Sequence, residues 1–259
     1  MIRAVARHCF FVIVAGLLTG SISGAQEAPG KVFRSELSAS WLGLTPGGNV
    51  VTNSNRVNFV SDLGIDRKQS QVGLRFLVKP WRRDAIFVEF VPYRFDGAQT
   101  IMRSFRFGGV TYAVNESITA KAALNFVSLG YQHDILNRSR LEVGLVAALA
   151  YMGVRATASI TSAGSAEVNR DIPLPLAGFA ARYSPAAQPR FSIRGSIRGM
   201  TFGSYGRYVD GGGAFGFALT QHVAVEAGYQ VVDGVGHHAT RGAEINLRGP
   251  AITLRLHDK

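Results

Sequence analysis

The sequence predicts an all-β fold: an antiparallel up-and-down transmembrane β-barrel of about ten strands, with eight as the alternative count. Three observations predict it. Runs of alternating apolar and polar residues recur beyond residue 26, and no convincing helical pattern interrupts them. Short and long polar connections separate these runs in alternation. Charged residues make up 17% of the chain, against about 25% in soluble domains.

The candidate strands are long enough to cross a bilayer. Several exceed the ~5–6 residues usual in soluble sheets and match the ~9–11 that a tilted transmembrane strand needs. The connection at 203–206 is short where the alternation predicts a long one, so the count could fall to eight there. The predicted strands cover residues 32–45, 68–79, 85–96, 118–134, 140–158, 173–184, 190–203, 207–219, 222–233 and 243–257.

Residues 190–200, RFSIRGSIRGM, show how the faces are assigned. Arginine and serine alternate with Phe191, Ile193 and Ile197, so a strand here has one cationic and one apolar face. A soluble sandwich would bury the apolar face, whereas a membrane barrel turns it to lipid. Because the polar faces are rich in Gly, Ala and Ser with isolated charges, as in a crowded lumen, we favour the barrel.

The charged faces then predict a charge network inside the lumen. An arginine or lysine facing lipid at the bilayer midplane would cost about 2–4 kcal/mol, which favours the inward assignment. We expect Glu142, Glu226 and Glu244 to be the partners of the arginine ladder at 190, 194 and 198. The predicted network comprises Arg75, Glu89, Glu142, Arg182, Arg190, Arg194, Arg198, Glu226, Glu244 and Arg255.

Two strands change the parity of their apolar residues. In one, Leu124 and Phe126 share one parity and Val127 the other, and near Gly249 and Pro250 the apolar set shifts in the same way. A β-bulge would reconcile each change, since it inserts one unpaired residue into a strand. The sequence therefore predicts a bulge in each of these strands.

The first 25 residues predict a secretory signal peptide, and residues 26–259 the barrel domain. Arg3 and Arg7 precede an apolar run from residue 10 to 18, and a small-residue site at 23–25 follows. The one cysteine, Cys9, lies within this segment.

Formal net charge is +11, which suggests anionic partners such as lipid headgroups or lipopolysaccharide. Without a zinc or helix-turn-helix pattern, we expect no nucleic-acid partner.

The signal segment, the amphipathic strands and a last strand at 251–256 together resemble the small outer-membrane β-barrel proteins of Gram-negative bacteria, the porin-like group with OmpA- and OmpX-type barrels. The resemblance implies an outer-membrane location, a monomer, and biogenesis by the barrel-assembly machinery, which reads the last strand. That strand usually ends in an aromatic residue. Here Leu256 is followed by His257, Asp258 and Lys259.

Candidate catalytic residues lie in the predicted outer loops. His237, His238 and Asp233 share one connection, and Asp62, Asp66 and Asp96 lie in or beside others. We interpret them as solvated loop residues, because neither the paired acidic rims of outer-membrane proteases nor the His–Ser arrangement of lipid A deacylases is present. The sequence thus predicts no enzyme, no cofactor and no metal site, although a rim hydrolase stays open.

We expect a structural or surface-interaction role. Loop cations could contact lipopolysaccharide phosphates, since arginine suits that bidentate contact. Barrels near eight strands are filled by side chains, and aqueous channels appear at about 16, so a filled lumen is favoured over conduction. A small anion-selective pore remains the alternative.

Overall fold

The computed structural model describes residues 34–52, 55–107, 110–160, 164–185, 190–203, 206–238 and 241–258. The predicted signal peptide lies outside these residues. Among the described residues there is no helix long and apolar enough to span a membrane. The strands are β1 (Arg34–Thr52), β2 (Asn55–Asn58), β3 (Gln69–Lys79), β4 (Asp84–Thr100), β5 (Phe105–Phe107), β6 (Val110–Tyr112), β7 (Ser117–Asn137), β8 (Leu141–Ile160), β9 (Gly164–Tyr183), β10 (Phe191–Thr201), β11 (Gly206–Ala218), β12 (Val223–His238) and β13 (Arg241–His257).

Ten antiparallel strands form a closed barrel, as the alternation predicts. Neighbours in the wall follow the order β13-β12-β11-β10-β9-β8-β7-β4-β3-β1, and pairing of β13 with β1 closes the ring. Strand β2 pairs with the end of β1, and β5 and β6 form a separate hairpin. The alternation predicts long connections between the strands at 140–158 and 173–184 and between those at 222–233 and 243–257. Both are wrong, because the β8–β9 hairpin continues to Ile160 and Gly164 and the β12–β13 hairpin to His238 and Arg241.

The outward face carries an apolar band around the whole barrel. Each wall strand contributes at least one exposed large apolar side chain, among them Leu129, Leu149 and Phe215 with exposed fractions of 58%, 63% and 71%. In water such a band would be an aggregation surface, whereas it matches the lipid-facing band of a transmembrane barrel. The β3–β4, β7–β8, β9–β10 and β11–β12 turns lie at one end, which we call the turn end and which faces the periplasm in such barrels, and the other connections lie at the loop end.

The loop half of the lumen is filled by an apolar core. Side chains from eight of the ten wall strands contribute, including Leu42, Phe95, Phe126 and Tyr208. The chain between β1 and β3 and the β5–β6 hairpin add further apolar side chains. The Tyr112 hydroxyl donates to the Ala158 carbonyl oxygen at 3.0 Å, which attaches the hairpin to β8. We call this set the apolar plug.

The plug also explains the parity changes, so both predicted bulges are wrong. Strand β7 keeps one register against β4 from Thr100↔Ser117 to Asp84↔His133, straight through Leu124 and Phe126. Strand β13 keeps one register against β12 throughout. The inward-facing Leu124, Phe126 and Leu247 are buried in the plug. In the β7–β8 ladder the register shifts between Asp134 and Leu136, near the turn end.

Candidate functional site

The turn half of the lumen holds a cavity of about 400 Å³ lined by charged side chains. Its floor is the plug, reached at Leu42 and Val91, and its lining runs back to Lys79 and Arg182 at the turn end. Inward-facing glycines and alanines of several strands leave room for these long side chains, so the arrangement follows from the small residues noted in the sequence.

Arg198 of β10 joins two carboxylates. Its Nη1 lies 2.9 Å from Glu89 Oε2, and its Nε and Nη2 each lie 2.9 Å from Asp210 Oδ1. Asp210 is on the adjacent strand β11, but Glu89 is on β4, on the other side of the lumen. The guanidinium therefore ties opposite walls together, with all three side chains largely buried.

A second cluster contains two arginines and two glutamates. Arg255 of β13 forms two hydrogen bonds to Glu36 of β1 and lies 2.6 Å from Glu226 of β12. Arg194 of β10 lies 3.5 Å from Glu36 and 3.3 Å from Glu226. Each carboxylate is thus shared by two guanidinium groups, which offsets the cost of removing these charges from water.

Arg75 occupies the space between the clusters. Its guanidinium carbon lies 4.3 Å from the centre of the Phe87 ring, and that of Arg198 lies 5.9 Å from the same centre. Gly130 provides the room for this ring, because a Cβ at that position would lie 2.1 Å from Phe87 Cζ. A cation over an aromatic face is favourable, more so when water is excluded.

The structure places the predicted site residues in two groups. Eight of them line the cavity: Arg75, Glu89, Glu142, Arg182, Arg194, Arg198, Glu226 and Arg255. Arg190 lies instead in the turn before β10 and is exposed. Glu244 lies near the loop end, where Asn49 donates to it at 3.1 Å and Arg56 approaches within 3.3 Å. Arg190 and Glu244 lie beyond the apolar band, so water can solvate their charges outside the lumen.

Sequence reasoning did not select Glu36, Asp210 and Asp134. Their side chains lie at inward-facing positions of their strands, as those of Arg194 and Arg255 do. The alternation of faces could therefore have identified them. Asp134 is fully buried and lies 2.6 Å from Lys79 Nζ, which also approaches Glu142 at 3.7 Å. Of the expected partners of the arginine ladder, Glu226 does pair with Arg194, at 3.3 Å, whereas Glu142 pairs with Lys79 instead.

The Asp62 carboxylate at the loop end accepts hydrogen bonds from neighbouring groups. Arg103 forms two hydrogen bonds to Asp62, one of them from Nε at 2.8 Å, and the Asn58 amide donates at 2.7 Å. Burial alone would raise the pKa of the Asp62 carboxyl, but these hydrogen bonds and the charge of Arg103 outweigh it and hold the pKa below its usual value.

Among the remaining candidates for rim catalysis, Asp66 and Asp96 are neighbours, since the Asp66 amide donates to the Asp96 carbonyl oxygen at 3.2 Å. Asp233 pairs with Arg207 at 3.3 Å and accepts from Asn246 at 3.0 Å. The side chains of His237 and His238 lie outside the described structure. Within the part of the chain that is described, no group of three or more His, Cys, Asp or Glu side chains could hold a metal ion.

Solved structures share this architecture. The chain is similar to the outer membrane protease OmpT from Escherichia coli, at 12% identity and a TM-score of 0.56, over 92% of this chain and 100% of that one. The fold is that of an outer-membrane β-barrel. This likeness shows the fold alone. The outward apolar band is independent evidence that the barrel spans a membrane, since it matches the lipid-facing band of such barrels.

Two further barrels are more distant. The translocator domain of the autotransporter NalP from Neisseria meningitidis matches at 10% identity and a TM-score of 0.45, over 96% of both chains. The attachment invasion locus protein Ail of Yersinia pestis, in complex with the heparin analogue sucrose octasulfate, matches at 8% and 0.37, over 85% of this chain and 98% of that one. No family model and no curated protein matches the sequence.

Proposed function

We propose that this barrel is a non-enzymatic, non-conducting outer-membrane protein with a structural or surface-interaction role. The observation that carries the proposal is the apolar plug, to which eight of the ten wall strands contribute. Hydrophobic constrictions stop ion flow by excluding water, so a continuous apolar layer leaves hydrated solutes no path.

The charge network supports the same role. In the lumen, Arg194, Arg198 and Arg255 all pair with carboxylates from other strands. An anion-selective path needs cations that face water, whereas these cations bind the wall together. The paired members of the Arg/Glu network therefore serve as structural fill, and their loss is expected to weaken the barrel without changing conductance.

Surface interaction is assigned to the loop end. Arg56, Arg103 and Arg207 are engaged by carboxylates there, while Arg67 and Lys68 are exposed in the connection before β3. The last two are the cations we propose for contact with lipopolysaccharide phosphates. We propose further that the protein is a monomer assembled by the barrel-assembly machinery.

Planar-bilayer recording tests the closed lumen. The wild-type protein is expected to give no single-channel steps, and Arg194→Ala to behave in the same way. Steps from the wild type that shrink in Arg194→Ala would establish the anion pore in place of this proposal. Protein insertion is verified independently by heat-modifiable gel mobility of the recovered vesicles.

An enzyme assay tests whether the protein is non-enzymatic, as proposed. Purified protein is incubated with lipid A and with a peptide library, and products are followed by mass spectrometry. No change of mass is expected in either substrate. Turnover that disappears in both His237→Ala and Asp233→Asn would replace this proposal with a rim hydrolase.

A further inference from the structure

The turn end of the barrel opens into a second cavity, which we call the basic mouth. It has a volume of about 430 Å³ and shares Arg34, Lys79, Glu142 and Arg182 with the lumen cavity, so the two adjoin. Its charged lining is unbalanced, with one carboxylate, Glu142, against six cations. Those cations are Arg34, Lys79, Arg82, Arg138, Arg140 and Arg182.

The one carboxylate is already engaged. Lys79 lies 3.7 Å from Glu142 and 2.6 Å from Asp134, so these three charges form a group of their own. Between described residues, no salt bridge is formed by the side chain of any of the five arginines of the basic mouth. Arg182 lies opposite Glu142 in the β8–β9 ladder but forms no salt bridge with it, and its buried Nε has no hydrogen-bond partner within the described structure.

This pattern differs from that of three of the lumen arginines. Arg194, Arg198 and Arg255 each have two carboxylate partners within 3.5 Å or less. Burying or crowding cations without counter-charges is unfavourable, and a structural network would supply the missing carboxylates. An excess of arginine around a concave site is instead typical of anion binding.

The turns that carry these arginines are fixed to one another. Asn137 Nδ2 donates to the Arg82 carbonyl oxygen at 2.6 Å, which joins the β3–β4 turn to the end of β7. The Ser184 amide donates to the Arg140 carbonyl oxygen at 2.8 Å, which joins the β7–β8 turn to the end of β9. The arginines thus project from a preorganised rim, which lowers the entropic cost of binding.

We propose that the basic mouth binds a phosphate-class anion. The planar guanidinium matches two phosphate oxygens at once, and five such groups line one cavity. Trp81 belongs to the same lining and is 55% exposed, and Tyr183, next to Arg182, is 44% exposed. Because exposed Trp and Tyr mark the level of lipid headgroups, the anion can be a soluble phosphate or an inner-leaflet lipid headgroup.

Thermal unfolding of the full barrel tests this, independently of the proposed function. In the first arm, inorganic phosphate is titrated into protein in a zwitterionic detergent, with sodium chloride of equal ionic strength as the reference. In the second arm, the protein is placed in nanodiscs of phosphatidylcholine with or without phosphatidylglycerol. The site variant is Arg138→Gln/Arg140→Gln/Arg182→Gln, and the control is Arg155→Gln/Arg170→Gln, which changes two exposed arginines of the β8–β9 hairpin toward the loop end.

The wild type is expected to show a saturable rise in its unfolding midpoint in at least one arm. The site variant should require at least tenfold more of the same anion, and the control variant should match the wild type. Stabilisation in the first arm identifies soluble phosphate, and stabilisation in the second alone identifies the lipid. Equal effects of chloride and phosphate with no lipid effect, or equal responses of site and control variants, would overturn the proposal.

A folding defect would not be mistaken for loss of binding. Heat-modifiable gel mobility shows whether each variant is a folded barrel before titration. Arg182→Lys provides the second check, since it keeps the charge but loses the planar fork. We expect this variant to bind phosphate more weakly than the wild type and more tightly than Arg182→Gln, and equal binding by all three would contradict a site built on Arg182.

Discussion

Arg198 and Glu89 form an ion pair that spans the barrel lumen, with Nη1 and Oε2 2.9 Å apart. Three wall strands, β9, β8 and β7, separate the strands that carry these residues. A contact of this kind exists in the closed barrel and in no isolated hairpin. It therefore couples the two sides of the wall, and its removal should reveal how far the interior network stabilises the fold.

Replacing Arg198 by methionine should destabilise the barrel strongly. The substitution keeps much of the side-chain volume but leaves Glu89 and Asp210 without their guanidinium partner. Breaking a buried ion pair in this way costs about 3–5 kcal/mol. Urea titration in detergent micelles, followed by gel mobility, measures the loss.

A compensating variant separates charge from packing. Glu89→Gln/Arg198→Met/Asp210→Asn removes all three charges together, and we expect it to recover most of the lost stability. If Arg198→Met alone unfolds at the same urea concentration as the wild type, the ion pair contributes little to the barrel.

The plug predicts a contrast between two phenylalanines. Phe126 is buried in the lumen against Tyr208, with ring centres 6.2 Å apart, whereas Phe215 faces outward and is 71% exposed. Phe126→Ala should leave a cavity and cost about 3–5 kcal/mol. Phe215→Ala should cost clearly less, because detergent or lipid fills the space.

The same urea titration compares the two alanine variants directly. Equal losses would contradict the plug, since they would mean that Phe126 has no closely packed surroundings. Both variants remove the same atoms. The difference between their losses of stability therefore measures the cost of the cavity that Phe126→Ala leaves in the packed lumen.

Local alternation was sufficient to predict the ten strands and most of their faces. In β10 it placed Phe191 and Ile197 outward and Arg194 and Arg198 inward, since a strand has two faces and lipid accepts the apolar one. It failed where both faces are apolar, as at Phe126, because periodicity cannot tell lipid from a dry lumen. The cross-lumen partners could not be predicted either, since they depend on closure of the ring.

Titration of Asp62 should be visible at the loop end. The folded-state pKa of this carboxyl lies below its usual value of 3.8, because hydrogen bonds from Arg103 and Asn58 outweigh the effect of burial. The associated stabilisation is therefore complete above that value and is lost as pH falls through the lower folded pKa. The amide resonance of Asn58, which donates to Asp62 at 2.7 Å, reports the change by NMR.

Two variants and a control test this interpretation. In Asp62→Asn the acid titration of the Asn58 resonance should vanish. In Arg103→Gln its midpoint should move upward, because a cause of the lowered pKa is removed. Asp66→Asn, in the same connection, should leave the titration unchanged. A wild-type midpoint at or above 3.8 would contradict the assigned role of Arg103.

Strand β7 allows a direct test of the outward apolar band, because exposed and buried residues alternate along it. Leu129 is 58% exposed and lies between Val127 and Tyr131 in the outward row, whereas its neighbour Ser128 is fully buried. Leu129→Arg should destabilise the barrel in phospholipid vesicles by about 2–4 kcal/mol, since it places a charge in the apolar band. Leu129→Phe is the matched control and should fold as the wild type does, because lipid accepts its ring. Reversible urea unfolding from vesicles measures both variants. An arginine tolerated as well as phenylalanine would mean that Leu129 faces water, and the outward band would then need another explanation.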